Sequence, residues 1–282
     1  MHTFAWNGLS FDLPADWNLA SFVDDGKALR IRMEDDVSIR LELEWTISSR
    51  KINPERMRTQ YERLTRSLSD QTISADQFTG LAAGWSAVLY TMHDRRRFIT
   101  AMFLDQPRKL IAVFKLHFEA GSRRDPARLL DLIIASLVFR DQGILPWRVY
   151  DVAFDLSHEW RLVRTSFLAG RKFFVFEWRL RRLYVWFISL ADLALKDRAL
   201  SDWSADFLNQ NKQIKGPVFY TDGARIKARR HGGFRFGHFE EIGRATLQYE
   251  IRSRHDTAAN HIRLAVMNYR NPSDLRLFPE QF

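Results

Sequence analysis

Apolar and polar residues alternate along two early segments of the chain. From Ala28 to Met33 and from Val37 to Trp45, apolar residues recur at every second position, and most residues between them are arginine, serine or glutamate. Successive side chains of a strand point to opposite faces of a sheet, so this period of two predicts antiparallel strands with one wet face. The acidic stretch from Glu34 to Asp36 is the predicted hairpin turn.

Two helical patterns frame the rest of this region. Asn53 followed by Pro54 and an apolar stripe predicts the start of a first helix. Asp125, as a cap before a proline, predicts a closing helix. The strands predicted between these helices are Gly84–His93, Arg97–Leu104 and Lys109–Phe118.

The chain then repeats this arrangement. The segment LSFDLPADWNL at Leu9 to Leu19 returns as VAFDLSHEWRL at Val152 to Leu162, which indicates an internal duplication. The second copy has predicted strands at Lys172–Trp178 and Leu183–Ser189 and a predicted helix at Asp197–Asn209. The predicted domains are residues 1–140 and 148–282, joined by a linker at 141–147 that contains glycine and proline.

The last part of the second copy is aligned with the middle of the first. Gly243–Ile251 is matched with Gly84–Met92, and Ala265–Phe278 with Ala101–Phe114. This alignment leaves the second copy without a counterpart of the closing helix. The predicted fold is therefore α+β: two tandem antiparallel-sheet domains with flanking helices, the second lacking its C-terminal helix.

The two copies differ on one face of their early strands. Five charged positions of the first copy are Arg30, Arg32, Arg40, Glu42 and Glu44. Their aligned partners, in the same order, are Phe174, Phe176, Tyr184, Trp186 and Ile188. We expect this aromatic face either to pack against the first copy as an interdomain core or to bind a protein partner or a second copy of the chain.

Composition limits the classes of function. The 282 residues are 46% hydrophobic, enough for substantial cores, and include no cysteine, so disulfides and thiolate chemistry are excluded. The longest apolar stretches are too short to span a bilayer, and the first residues do not have the pattern of a signal peptide. A cytoplasmic protein is expected.

Charge is unevenly distributed along the chain. Residues 1–143 contain 20 Lys+Arg and 19 Asp+Glu, whereas residues 144–282 contain 23 and 15. The basic second half favours acidic proteins, phosphates or anionic surfaces as partners.

The most basic segment of this half runs from Arg225 to Phe239. It mixes phenylalanines with five cations, Arg225, Lys227, Arg229, Arg230 and Arg235. Cations beside aromatic rings could contact phosphates and stack on bases, so anion or nucleic-acid binding is one hypothesis. A solvated basic hairpin is the alternative.

Other chemistry has little support in the sequence. The eight histidines show no metal-ligand spacing, and neither a Walker loop nor a nucleophile elbow nor a dinucleotide fingerprint is present. Asp12 and Asp16, aligned with Asp155 and Glu159, could be an acid/base pair but are more typical of turn hydrogen bonds. We expect no catalytic residues, no metal and no cofactor.

The opening motif at Phe11–Trp17 and Phe154–Trp160, with the order of elements that follows it, resembles the PsbP-like α/β sandwich superfamily. That superfamily includes DcrB-type lipoproteins and the Eag-class chaperones of type VI secretion effectors. The resemblance covers most of both copies and implies a module that binds proteins without catalysis.

Together these patterns predict a non-catalytic, cytoplasmic adaptor or chaperone module that is not an enzyme. Its partner is expected to dock on the second copy, either on the aromatic face or at the strand edge near the C-terminus. The alternative is a nucleic-acid-associated accessory protein that uses Arg225–Phe239.

Overall fold

The computed structural model describes residues 1–26, 28–47, 72–211, 213–230 and 247–282. The chain forms two compact units. The first contains Met1–Phe139 with Arg148–Asp151, and the second contains Arg140–Trp147 with Val152–Phe282. The helix predicted from Pro54 lies outside the described residues.

The first unit is built around a seven-stranded antiparallel sheet. The elements of residues 1–139 are β1 (His2–Trp6), β2 (Leu9–Leu13), β3 (Asn18–Asp24), β4 (Leu29–Glu34), β5 (Ile39–Ile47), β6 (Thr72–Gln77), β7 (Trp85–Met92), β8 (Arg97–Asp105), β9 (Leu110–Phe118), α1 (Pro126–Ser136) and β10 (Val138–Phe139). The sheet has the order β3-β4-β5-β9-β8-β7-β6. β1 and β2 form a hairpin, and β10 pairs with β2.

The second unit is built around a five-stranded antiparallel sheet. The later elements of the chain are β11 (Ile144–Val149), β12 (Val152–Ser157), β13 (Arg161–Leu168), β14 (Arg171–Trp178), β15 (Arg181–Ser189), α2 (Ala191–Leu195), α3 (Leu200–Gln210), β16 (Pro217–Asp222), β17 (Arg225–Arg230), β18 (Gln248–Asp256), β19 (His261–Tyr269) and a 3₁₀ helix (Pro272–Leu277). The order is β13-β14-β15-β19-β18, and β16 and β17 form a separate two-stranded sheet.

The predicted α+β class is wrong, because the protein is mostly β. Strands hold 55% of the described residues and helices only 14%. Several strands carry little periodic signal in the sequence. β3, for example, lies at the edge of its sheet and exposes most of its residues, so its sequence shows no apolar face. The segment predicted as a linker includes the first residues of β11.

The two sheets share one register across their central strands. Leu43 of β5 lies opposite Phe114 of β9, and Val185 of β15 lies opposite Ala265 of β19. β19 is therefore the counterpart of β9, since each pairs with the third strand of its meander.

The turn before that last strand has the same geometry in both units. Asp105 and Asp256 each accept a hydrogen bond from the amide three residues ahead, at 3.1 and 3.2 Å. Lys109 and Asn260 end these turns with φ of 55° and 51°. The hairpin β18–β19 thus corresponds to β8–β9, and the alignment of Gly243–Ile251 with β7 is wrong by one strand.

The corrected register supplies a counterpart for the closing helix. Asp125 caps α1 through the Ala127 amide at 2.9 Å, and Pro126 begins the helix. After β19, Asn271 and Pro272 likewise precede a helical turn, the 3₁₀ helix, and the Asn271 amide donates to the Asp274 carboxylate at 3.2 Å. The prediction that the second copy lacks this element is wrong, because the element is present as a six-residue 3₁₀ helix.

The phenylalanine of the repeated FDL motif is buried in both units and packs on an aromatic ring of the sheet. The ring of Phe11 lies 5.9 Å from that of Phe114, edge to face, and the ring of Phe154 lies 6.0 Å from that of Phe176. In each unit the opening hairpin contributes aromatic side chains to the inner face of the sheet.

Candidate functional site

The five residues predicted to form one aromatic face lie on two opposite faces of the second sheet. Phe174 and Phe176 point to the inner face, where both contact Phe154. Tyr184 and Trp186 point to the outer face and are buried. Ile188 also lies on the outer face and is half-buried.

The cover of the outer face comes from within the second unit. Tyr184 and Trp186 pack in one cluster with Leu208 of α3 and Phe219 of β16. The ring of Phe207 meets that of Trp186 edge to face at 5.9 Å. The sequence predicted this cover from the first copy or from a partner, whereas α3 and the hairpin β16–β17 provide it.

The structure also shifts the alignment of β4 with β14 by one residue. Met33 lies opposite Leu19, and Phe176 lies opposite Leu162, the counterpart of Leu19 in the repeated motif. The position of Arg30 is therefore taken by Phe173 rather than by Phe174. The charged outer face of the first unit still becomes apolar in the second.

Side-chain hydrogen bonds hold the hairpin β16–β17 against α3. The amide of Asn209 donates from Nδ2 to the Phe219 carbonyl at 2.7 Å and accepts at Oδ1 from the Phe219 amide at 2.8 Å. These two bonds fix β16 over the outer face and leave the other face of the hairpin exposed.

That exposed face carries most of the predicted anion-binding residues. Arg225, Lys227 and Arg229 alternate along β17 and are all exposed. Lys227 pairs with Asp222, which lowers the pKa of Asp222 and raises that of Lys227. Arg230 ends β17, and its side chain is not described.

Arg235 and the remainder of the segment to Phe239 lie outside the described residues. The exposed row on β17 is joined by two apolar neighbours from β16, since Val218 and Tyr220 lie opposite Arg229 and Lys227. Both are exposed. The hairpin therefore presents a row of cations and the ring of Tyr220 on one solvent-exposed face.

A cleft of about 920 Å³ lies between this hairpin and β18. Arg225 and Lys227 line one wall, and Tyr249, Ile251 and Arg252 of β18 line the other. We call it the edge cleft, because it surrounds the side of β18 that does not face β19. In the first unit the same side of β8 pairs with β7, whereas the described residues contain no strand paired there with β18.

The edge cleft is the candidate site that the sequence located only in general terms, at a strand edge near the C-terminus. Its position follows from the match of β18 with β8. The signal was present in the repeated turns, because Asp105-to-Lys109 and Asp256-to-Asn260 have the same length and begin with the same residue.

One pair of the carboxylates retained in both copies, Asp16 and Glu159, contacts arginines. Asp16 pairs with Arg124 at 2.5 Å, and Glu159 pairs with Arg276 at 3.3 Å. Both arginines come from the segments of the closing helices, so this ion pair is another duplicated feature. Asp12 accepts a hydrogen bond from the hydroxyl of Thr3 at 2.6 Å.

The histidines considered as metal ligands do not converge where they are described. His255 lies opposite Ile262 and His261 opposite Asp256, which places them on opposite faces of the β18–β19 pair. His231 and His238 lie outside the described residues. Within the described ranges, no group of three or more His, Cys, Asp or Glu side chains could hold a metal ion.

Comparison with models of known protein families gave no match, and comparison with curated proteins gave none either. Among the helices of the described residues, none is both long enough and apolar enough to cross a membrane.

Proposed function

We propose that this protein is a non-catalytic protein-binding module, of the adaptor or chaperone kind, which holds an extended segment of a partner at the outer edge of β18. The observation that carries the proposal is the edge cleft, with a strand edge on one wall and a basic hairpin on the other. A partner strand could donate and accept main-chain hydrogen bonds along that edge, as in β-strand addition.

The first unit provides an internal comparison for this edge. There β7 and β6 continue the sheet beyond β8, so seven strands are paired, whereas five are paired in the second unit among the described residues, which do not include 231–246 directly before β18. Unpaired strand edges attract other strands, and proteins usually cover or disrupt them. A partner segment at β18 would take the place that β7 occupies in the first unit.

The lining of the edge cleft suits a protein partner. Tyr220, Tyr249 and Tyr269 supply aromatic surface, and Arg225 and Arg252 supply guanidinium groups. Aromatic residues and arginine are enriched in protein interfaces. The adaptor or chaperone character also rests on the PsbP-like resemblance of the two opening motifs, and the cytoplasm is proposed because the chain has no cysteine.

Site-specific cross-linking tests the proposal. Since the chain has no cysteine, Ser253→Cys would give a single attachment point for a photo-cross-linker inside the edge cleft. Ser166→Cys on β13, the opposite edge of the same sheet, is the matched control, because both serines are half-buried. The probes are a defined panel of extended, β-prone peptides.

We expect cross-links to a subset of the panel from Ser253→Cys and few from Ser166→Cys. Equal labelling from both positions, or none from either, would contradict a binding edge at β18.

A second candidate is a nucleic-acid-associated accessory protein. The observation in its favour is the row of Arg225, Lys227 and Arg229 on one exposed face of β17, beside Tyr220. Binding of single-stranded oligothymidylate that weakens steeply with salt, and is lost when these cations are replaced by glutamine, would support it.

A further inference from the structure

We propose that the turn between β14 and β15 binds the surface of an anionic lipid bilayer. Leu180 would enter the region between the lipid headgroups and the acyl chains, and the arginines around it would contact lipid phosphates. We call this turn, from Trp178 to Arg181, the arginine tip. Its residues are not among those that line the edge cleft, so this proposal does not depend on the proposed function.

A large apolar side chain stands at the end of the arginine tip. Trp178 pairs with Arg181, which leaves Arg179 and Leu180 as a two-residue turn, and Leu180 is 71% exposed. A single exposed leucine is common on protein surfaces, so its meaning depends on what surrounds it.

Guanidinium groups surround the tip on both faces of the hairpin. Those of Arg179 and Arg276 lie 5.0 and 5.9 Å from the centre of the Trp178 ring, which belongs to the inner face with Phe176. Arg182 lies on the outer face, since Tyr184, two residues later, is on that face. A hairpin that enters a bilayer end-on meets phosphates on both of its faces. Cations on opposite faces therefore suit a membrane.

The carboxylates near the tip are less exposed than the arginines with which they pair. The side chain of Arg276 is 62% exposed and that of its partner Glu159 28%. The side chain of Arg182 is 42% exposed and that of Glu177 30%. Arg179 has no carboxylate partner among the described residues. An approaching surface therefore meets positive charge first.

The turn itself does not favour an arginine at position 179. Arg179 has φ of 54°, in the left-handed region that glycine occupies without strain. Two-residue hairpin turns prefer glycine or asparagine where φ is positive. Strained residues of this kind cluster at functional sites, and a contact of Arg179 with lipid phosphate would account for its presence.

The corresponding turn of the first unit has the opposite charge. The residues that join β4 to β5 include Asp35, Asp36 and Val37, and Val37 is 78% exposed. An anionic bilayer would repel the exposed carboxylate of Asp36. The chain thus contains a matched control, an exposed apolar residue on the equivalent hairpin without arginines in its turn.

Flotation of the full chain with lipid vesicles tests the proposal. The vesicles contain phosphatidylcholine alone or an equimolar mixture of phosphatidylcholine and phosphatidylserine. The variants are Leu180→Ser and Arg179→Gly, and the control is Val37→Ser. Arg179→Gly removes the cation and relieves the positive φ, so it should unfold at a urea concentration no lower than the original chain does.

We expect the chain to float with the phosphatidylserine vesicles and not with phosphatidylcholine alone. Raised salt should reduce the bound fraction, since exposed charges are screened. Arg179→Gly should weaken partition into the vesicles about fivefold, and Leu180→Ser about tenfold, because each removes one of the two contributions to binding. Val37→Ser should leave partition unchanged.

The other outcomes overturn the proposal. If the chain floats with neither kind of vesicle, or equally with both, the arginine tip does not bind an anionic bilayer. If Val37→Ser weakens binding as much as Leu180→Ser does, the contact lies elsewhere. If Leu180→Ser binds as well as the original chain and oligothymidylate displaces the vesicles, the tip binds nucleic acid rather than lipid.

Discussion

Removal of the Asp274 carboxylate should strongly destabilise the second unit. Asp274 is buried, with 8% of its side chain exposed, and accepts hydrogen bonds from the backbone amides of Arg270 and Asn271 at 3.0 and 3.2 Å. It also accepts from Nε of Arg181 at 2.9 Å, and that side chain is only 12% exposed. One carboxylate therefore joins the 3₁₀ helix to the start of β15.

The magnitude follows from what the substitution Asp274→Ala leaves behind. A hydrogen bond to a charged group contributes about 1.5–3 kcal/mol, and breaking a buried ion pair costs about 3–5 kcal/mol because one charge stays unpaired. Since Arg181 retains some contact with water, we expect a loss of about 3 kcal/mol in the free energy of unfolding. Arg181→Met should cost less, because Asp274 keeps its two amide donors.

Urea unfolding followed by tryptophan fluorescence measures these changes, with the two units fitted as separate transitions where they resolve. The control is Arg30→Gln, whose partner Glu44 lies in an ion pair with about half of each side chain exposed. This control should leave the midpoint unchanged. If Asp274→Ala shifts its transition no more than the control does, Asp274 does not join these elements in solution.

Four further predictions use the same measurement. Burial opposes ionisation of Asp274, but the amide donors and Arg181 outweigh burial and lower the pKa of Asp274 below 3.8. The ionised carboxylate therefore stabilises the folded state above pH 3.8, and this stability is lost as pH falls through the lower pKa of the folded protein. The loss should be absent in Asp274→Asn. Burial lowers the pKa of His117 below 6.5 despite its hydrogen bond to Glu42, so the free energy of unfolding should decline as pH falls below 6.5. His117→Gln should flatten that decline. An unchanged slope in the variant would argue against a lowered His117 pKa as its cause. Trp160→Phe should cost about 1 kcal/mol more than Trp17→Phe, because the Trp160 indole donates to the Leu277 carbonyl at 2.9 Å while that of Trp17 has no acceptor among the described residues. Trp186→Ala should cost about 3–5 kcal/mol, because Trp186 is buried under α3 and β16, whereas Glu44→Ala, in an exposed ion pair of the first unit, should have little effect; similar costs would argue against burial of Trp186.

The strand predictions were most accurate where one face of a strand is wet. In β4 and β5, buried Ile31 and Leu43 alternate with exposed Arg30 and Glu44, and the sequence shows that period directly. Edge strands such as β3 were missed, because an edge strand with few buried residues has no apolar face to detect.

The candidate site was harder to locate from the sequence. In β14 and β15 both faces are covered, so Phe173, Phe174, Val175 and Phe176 form a continuous apolar run. Such a run does not show which residue points to which face. The prediction therefore joined residues of opposite faces into one surface and located the strand edge only as lying near the C-terminus.

The sequence by itself determined the duplication, the positions of most central strands and the basic character of the second half, because these depend on residue type and spacing along the chain. Only the tertiary structure decided which strands correspond between the copies, what covers the apolar outer face and where a strand edge borders a cleft. Register, coverage and edges depend on hydrogen bonds and packing between residues far apart in sequence, as between β15 and β19, and no local pattern specifies those partners.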